Sequence, residues 1–154
     1  MLHAQVFIPT QLERDWLNGL IPGVVNGDGI MDTLDPAIPF VDSVEFGGWL
    51  IGTMDLYGVG YLSALSYLQI SNDSYIEGSF IRLERIPSSL RTLRIGCNGM
   101  ALPIILPDLP SNMEELSIDQ GGDPIESCSL SIQQMPGSIQ ELTLRNLNWV
   151  SWNG

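Results

Sequence analysis

Histidine occurs once, at His3, and there are only six basic residues against 18 acidic ones. A single histidine near one end leaves no base for a Ser–His–Asp or Cys–His relay. No Gly-x-Ser-x-Gly elbow and no phosphate loop is present, and Gly47-Gly48 and Gly58-Val59-Gly60 read as turns. The two cysteines, Cys97 and Cys128, are too few for a disulfide framework and do not suit zinc spacing. They read as buried thiols or as one pair. Acidic neighbours such as Glu114-Glu115 could in principle serve glycoside hydrolysis, but on a strand they point to opposite sides and read as a solvated face. The sequence therefore predicts no enzyme. A net charge of −12 argues against nucleic acid and against an anionic membrane surface. No run approaches the roughly 18 apolar residues of a membrane helix, so membrane insertion is not expected.

What the sequence does contain is a repeat. Ile86-Pro87-Ser88-Ser89-Leu90-Arg91-Thr92-Leu93-Arg94-Ile95 is matched by segments 109–118 and 135–144. Each reads apolar-Pro-x-x-apolar-x-x-Leu-x-apolar. Degenerate copies end at Phe46 and Ile70. Aligned on Phe46, Ile70, Ile95, Ile118 and Leu144, the copies step by 24, 25, 23 and 26 residues. Alternation in Leu93-Arg94-Ile95 turns Leu93 and Ile95 inward and Arg94 outward, as in a short strand. One such rung cannot bury its own apolar face, so rungs must stack into a parallel sheet with a shared core.

The expected fold is an α/β solenoid of about five rungs over residues 41–147. Apolar residues between the strands (Met54, Leu56, Ile76, Phe80, Leu83, Leu102, Ile104, Leu106, Ile125, Leu130, Ile132) should line the opposite wall as irregular, extended or short helical returns. Asn98 falls where a buried Asn ladder can run, although Asp73 and Gly121 replace it elsewhere. The outward strand positions form three columns: Ser43, Tyr67, Thr92, Glu115 and Glu141; Glu45, Gln69, Arg94, Ser117 and Thr143; Gly47, Ser71, Gly96, Asp119 and Arg145. Such a face is where solenoids bind partners, and Tyr67 and Arg94 are its best anchors. Arg91 and Arg94 could equally pair with Glu114 and Glu115 on the next rung.

Residues 1–40 read as an N-terminal cap. Thr10-Gln11-Leu12-Glu13 has capping-box form, and Leu12, Trp16 and Leu20 supply an apolar stripe for a helix over 10–19, ended by Gly19 or Pro22-Gly23. In Asn26-Gly27-Asp28-Gly29-Ile30-Met31-Asp32-Thr33-Leu34-Asp35, the side chains of Asn26, Asp28, Asp32 and Asp35 and the Ile30 carbonyl fit a calcium loop. Val24 stands where the first aspartate belongs, and a plain Asn-Gly/Asp-Gly turn is the alternative. Calcium is the one cofactor the sequence raises. Residues 148–154 are a tail, with Trp149 and Trp152 folded over the open end, or the start of further repeats. Met1 to Gln5 reads as the remnant of a cleaved signal peptide around Ala4, or as a native apolar start.

The Pro-x-x-Leu-x-x-Leu register resembles the bacterial class of leucine-rich repeats. The order Phe7-Ile8-Pro9, helix, Asn-Gly-Asp-Gly loop and first rung at Val41 is similar to the start of secreted bacterial leucine-rich-repeat surface proteins. This resemblance implies a right-handed solenoid with its parallel sheet on the concave face, and an extracellular or cell-surface location. The implied function is binding or adhesion to a protein or surface ligand through Glu45, Tyr67, Gln69, Thr92, Arg94, Glu115, Ser117, Glu141 and Thr143. The alternative is a structural N-terminal segment of a longer surface protein with no ligand of its own.

Overall fold

A computed structural model describes residues 5–47, 53–72, 80–97, 103–121, 129–132, 134–147 and 149–152. It begins with strand β1 (Gln5–Phe7), helix α1 (Gln11–Leu20) and strand β2 (Ile30–Asp32), which pairs antiparallel with β1. The chain then alternates between two parallel sheets. The first contains β3 (Ser43–Phe46), β5 (Tyr67–Asn72), β7 (Thr92–Cys97), β9 (Glu115–Gln120) and β11 (Glu141–Arg145). The second contains β4 (Met54–Leu56), β6 (Ile81–Leu83), β8 (Ile104–Leu106), β10 (Ser129–Ile132) and β12 (Trp149–Trp152). The architecture is a parallel β-solenoid carrying one helix among the described residues.

The repeat alignment is the register of the first sheet. Phe46, Ile70, Ile95, Ile118 and Leu144 are successive ladder partners, as are Val44, Leu68, Leu93, Leu116 and Leu142. The proline of each full copy opens the turn into the strand. The Pro87 carbonyl accepts from Leu90 N–H, and the Pro110 carbonyl accepts from Met113 N–H. Ser89 and Ser138 then reach back one rung, donating to the carbonyls of Leu65 and Met113 at 2.8 and 2.6 Å. A proline fixes φ for the turn, and a short hydroxyl satisfies a carbonyl that the turn would otherwise bury unpaired.

The return segments are more regular than expected. Their apolar pairs stack as strands of only three or four residues, and Met54, Leu56, Leu83, Ile104, Leu106, Leu130 and Ile132 are buried against the first sheet. Parallel pairing with neighbours above and below fixes these short runs, which could not hold an extended form alone. Ile76, Leu102 and Ile125 lie outside the described residues, as do Asn98 and Asp73 of the expected ladder. Residues 149–152 continue the pattern as a fifth strand of the second sheet, parallel to β10. Cys97 is buried on β7, and Cys128 lies outside the described residues.

The cap helix forms where expected, with one correction. Thr10 is its N-cap and accepts from Glu13 N–H at 3.4 Å. The buried face, however, is Glu13, Leu17 and Ile21, while Leu12 and Leu20 are exposed. Trp16 is half-buried and meets the edge of Phe46 on the first rung, with ring centroids 4.6 Å apart. The apolar stripe is therefore rotated one residue from Leu12-Trp16-Leu20. Nor does Glu13 close a capping box: its carboxylate crosses to the first return segment, as described below.

Candidate functional site

The outward face of the first sheet is built by ladder register alone. Alternation buries one side of each strand and turns the other to solvent, and parallel pairing stacks like positions. Tyr67, Thr92, Glu115 and Glu141 follow Ser43 in one column; Gln69, Arg94, Ser117 and Thr143 follow Glu45 in the next. Ser71, Gly96, Asp119 and Arg145 form the third, and a Cβ on Gly47 would meet Ser71 Cβ at 3.4 Å. The structure thus brings together all nine residues expected on this face.

The face is internally paired. Arg94 grips Glu115 with two hydrogen bonds, Nε to Oε1 at 2.7 Å and Nη2 to Oε2 at 3.2 Å. That contact raises the Arg94 pKa, keeping the guanidinium charged. Arg94 also lies 5.9 Å from the Tyr67 ring centroid, and Tyr67 donates its hydroxyl to Gln69 Oε1 at 2.7 Å. Arg91 meets Glu114 at 2.6 Å, and Arg145 approaches Asp119 at 3.8 Å. The second sheet has its own pair, Arg82 with Asp55, flanked by Glu84 at 2.9 Å. The arrangement is a ribbed polar surface with fixed donors and acceptors and an acidic excess.

The Asn26–Asp35 segment is a hairpin. Asn26 N–H donates to the Ile30 carbonyl at 3.0 Å, and Gly29 N–H donates to the Asn26 carbonyl at 2.9 Å. Gly29 takes a φ of 79°, the left-handed residue of a three-residue hairpin loop. A Cβ there would also lie 2.3 Å from the Arg14 guanidinium carbon. Arg14 donates to the Ile8 carbonyl at 2.6 Å and lies over the Phe7 ring.

The expected calcium donors serve this hairpin and the turns after it. Asn26 Oδ1 accepts from Asp28 and Ile30 N–H, Asp32 Oδ1 from Leu34 N–H, and Asp35 Oδ1 from Ala37 N–H. Val24, at the first ligand position, is buried, and its carbonyl accepts from Asp32 N–H. Among the described residues no three His, Cys, Asp or Glu side chains are grouped to hold a metal ion. In this structure Asn26, Asp32 and Asp35 each hold backbone N–H groups of the turns.

Sequence reasoning missed Glu13 as an interior group. It is completely buried, the one buried polar or charged side chain among the described residues. Its oxygens accept from Tyr57 N–H at 2.9 Å and Gly58 N–H at 2.6 Å, at the start of a 3₁₀ turn over Gly58–Tyr61. Burial pushes its pKa up to about 7 despite these donors, with the Asp55 charge adding to the rise. Gly58 permits the approach, because a Cβ there would lie 2.6 Å from Leu17 Cδ1. The available signal was the spacing of Glu13, Leu17 and Ile21, four residues apart on one helix face.

Also unforeseen were the exposed apolar side chains Phe7, Leu34 and Phe40 on the cap side and Leu142 on the last rung. No helix among the described residues is long and apolar enough to cross a membrane. No family model, no curated protein and no solved structure matches the chain.

Proposed function

We propose that this chain is a binding module of the bacterial leucine-rich-repeat type, exported or held at a cell surface, that engages a protein or surface ligand. The contact face is the outward side of the first sheet, taken as the concave side of a right-handed solenoid. The observation that carries this reading is the register that stacks Glu45, Gln69, Arg94, Ser117 and Thr143 into one solvent-facing column. A repeated rib of fixed polar groups beside an aromatic, Tyr67, offers a partner both orientation and an anchor. The net charge of −12 favours a partner presenting basic groups. Nothing in the constellation supplies a nucleophile with its base, so binding and not turnover is the proposed role.

Photo-crosslinking groups at Gln69 or Ser117, compared with one at Ile105 on the other sheet, test this. Incubated with surface and matrix proteins, the first two positions should give the same adduct and Ile105 none. Tyr67→Ala with Arg94→Ala should weaken its formation about tenfold or more. Equal labelling from both sheets, or none from either, overturns the proposal. A second reading, a structural segment without a ligand, is favoured by one observation: Arg91, Arg94 and Arg145 are all directed at acidic residues of the chain itself. Absence of any adduct at Gln69 and Ser117 would support it.

A further inference from the structure

Two Asn-Gly pairs, Asn18-Gly19 and Asn26-Gly27, lie within the described residues. Such a pair carries its own reagents. The glycine nitrogen, unhindered by a side chain, is a latent nucleophile for the carboxamide carbon beside it. The structure treats the two pairs oppositely. Asn18 is locked: its Nδ2 donates to the Val25 carbonyl at 2.9 Å, and its Oδ1 accepts from Val25 N–H at 2.9 Å. Gly19 lies inside α1, where backbone N–H groups point back along the axis to the preceding turn.

Asn26 is the reverse case. Asn26, Gly27 and Asp28 are exposed at the tip of the hairpin. Asn26 Oδ1 accepts from Asp28 N–H at 3.0 Å and from Ile30 N–H at 2.9 Å, which folds the side chain forward along the chain. Neither Asn26 Nδ2 nor Gly27 N–H has a hydrogen-bond partner among the described residues. A Cβ on Gly27 would meet nothing within 4 Å, so the space beside its nitrogen is open. Two backbone donors on one carbonyl oxygen form an oxyanion hole, and both fall within the effective range of about 2.7–3.1 Å.

We infer that Asn26 is a self-modification site: the Gly27 nitrogen attacks Asn26 Cγ, and the N–H groups of Asp28 and Ile30 stabilise the oxyanion on Oδ1. Hydroxide takes the Gly27 proton as the N–Cγ bond forms. The Cγ–Nδ2 bond then breaks, and the amine leaves as ammonia with a proton from water, regenerating hydroxide. A second water opens the cyclic imide, so the net change consumes one water and releases one ammonia. Opening at Cγ leaves an aspartate that still accepts from both N–H groups, now with charge. Opening at the main-chain carbonyl leaves isoaspartate, which lengthens the backbone inside the hairpin. That product disrupts the bonds of Asn26 N–H to the Ile30 carbonyl and Gly29 N–H to the Asn26 carbonyl. The conversion is one-way in water, so its extent records the age of the folded cap.

The test incubates the whole protein at about pH 8, folded or in guanidinium, and follows each asparagine by peptide mass spectra. Asn26 should convert at least as fast in the folded protein as in the unfolded chain, and Asn18 only when unfolded. An isoaspartyl methyltransferase should label the aged folded protein at residue 26, the mark of an imide. Gly27→Ala should slow conversion of Asn26 severalfold. The comparison of Asn26 with Asn18 within the parent chain stands even if that variant unfolds. Slower conversion of Asn26 folded than unfolded, equal conversion of Asn18 in the folded protein, conversion without isoaspartate, or a folded Gly27→Ala variant converting at the parent rate would overturn the inference.

Discussion

The first and last described rungs of the first sheet are covered differently. At the N-terminal end the first rung is covered: Ile8, Leu17 and Ile21 join the core, Trp16 packs on Phe46, and Val44 is buried. On β11, the last described strand of that sheet, Leu142 stands in the same ladder half exposed. A repeat residue is therefore not a core residue by virtue of its motif. Its burial is supplied by the rung or cap beyond it, and identical Leu-x-Leu patterns differ in worth according to their neighbours.

The largest test of this contrast compares Leu116 with Leu142. Leu116→Ala should cost about 2–5 kcal/mol, the lost transfer energy plus a cavity between two sheets. Leu142→Ala, measured in dilute solution, should cost less than about 1 kcal/mol, because its side chain already meets water. Urea unfolding of both variants decides the matter, and equal losses would erase the difference between the ends.

The next effect lies in the cap. Glu13 titrates near 7 in the folded protein and near 4.5 when unfolded. Between those values the folded chain holds a proton that the unfolded chain has released, so stability falls as pH rises through this window. The loss attributable to Glu13 is on the order of 3 kcal/mol from pH 4 to 8. Glu13→Gln should flatten that slope while keeping one oxygen for the Tyr57 or Gly58 N–H. Chemical unfolding of parent and variant at both pH values measures it; parallel slopes would remove Glu13 from the account. Among the described residues Glu13 is the one buried charged side chain.

A smaller effect separates the two glycines of the hairpin. Gly29→Ala must adopt positive φ and displace Arg14, costing about 1–3 kcal/mol. Gly27→Ala, with nothing within 4 Å of its added Cβ, should change the melting temperature little. The smallest expected effect is that of calcium. With Asn26, Asp32 and Asp35 accepting backbone N–H groups, millimolar calcium should leave the melting temperature where a chelator leaves it. A rise abolished by Asp28→Ala would show a cation site in the loop, since a ligand bound only by the folded state must stabilise it.

Much of the fold was legible in the sequence because it is written repeatedly. Five copies of one apolar alternation, averaged over their irregularities, located every strand of the first sheet and each outward column, including Tyr67 beside Gln69 and Arg94 beside Glu115. The pairing of Arg91 and Arg94 with Glu114 and Glu115 followed from the same register. The second sheet was less legible. Runs such as Ile81–Leu83 are too short for periodicity to distinguish a strand from an irregular return. The nine face residues were placed together, but nothing in a strand pattern names a ligand for them.

What the sequence by itself determined was spacing: the rung length, the inward and outward sides of each strand, and the start of the cap helix at Thr10. Those are local properties, set by the period of two along a strand and by hydrogen bonding at a helix end. Only the tertiary structure decided which side of that helix is buried: Leu17 and Ile21 join the core, and Glu13 on the same face meets the N–H groups of Tyr57 and Gly58, some 45 residues away. It alone turned three-residue runs into a second sheet, since their extended form depends on strands above and below. It alone set Leu142 apart from Leu116, because burial depends on what lies across the gap, and no motif records its own neighbour.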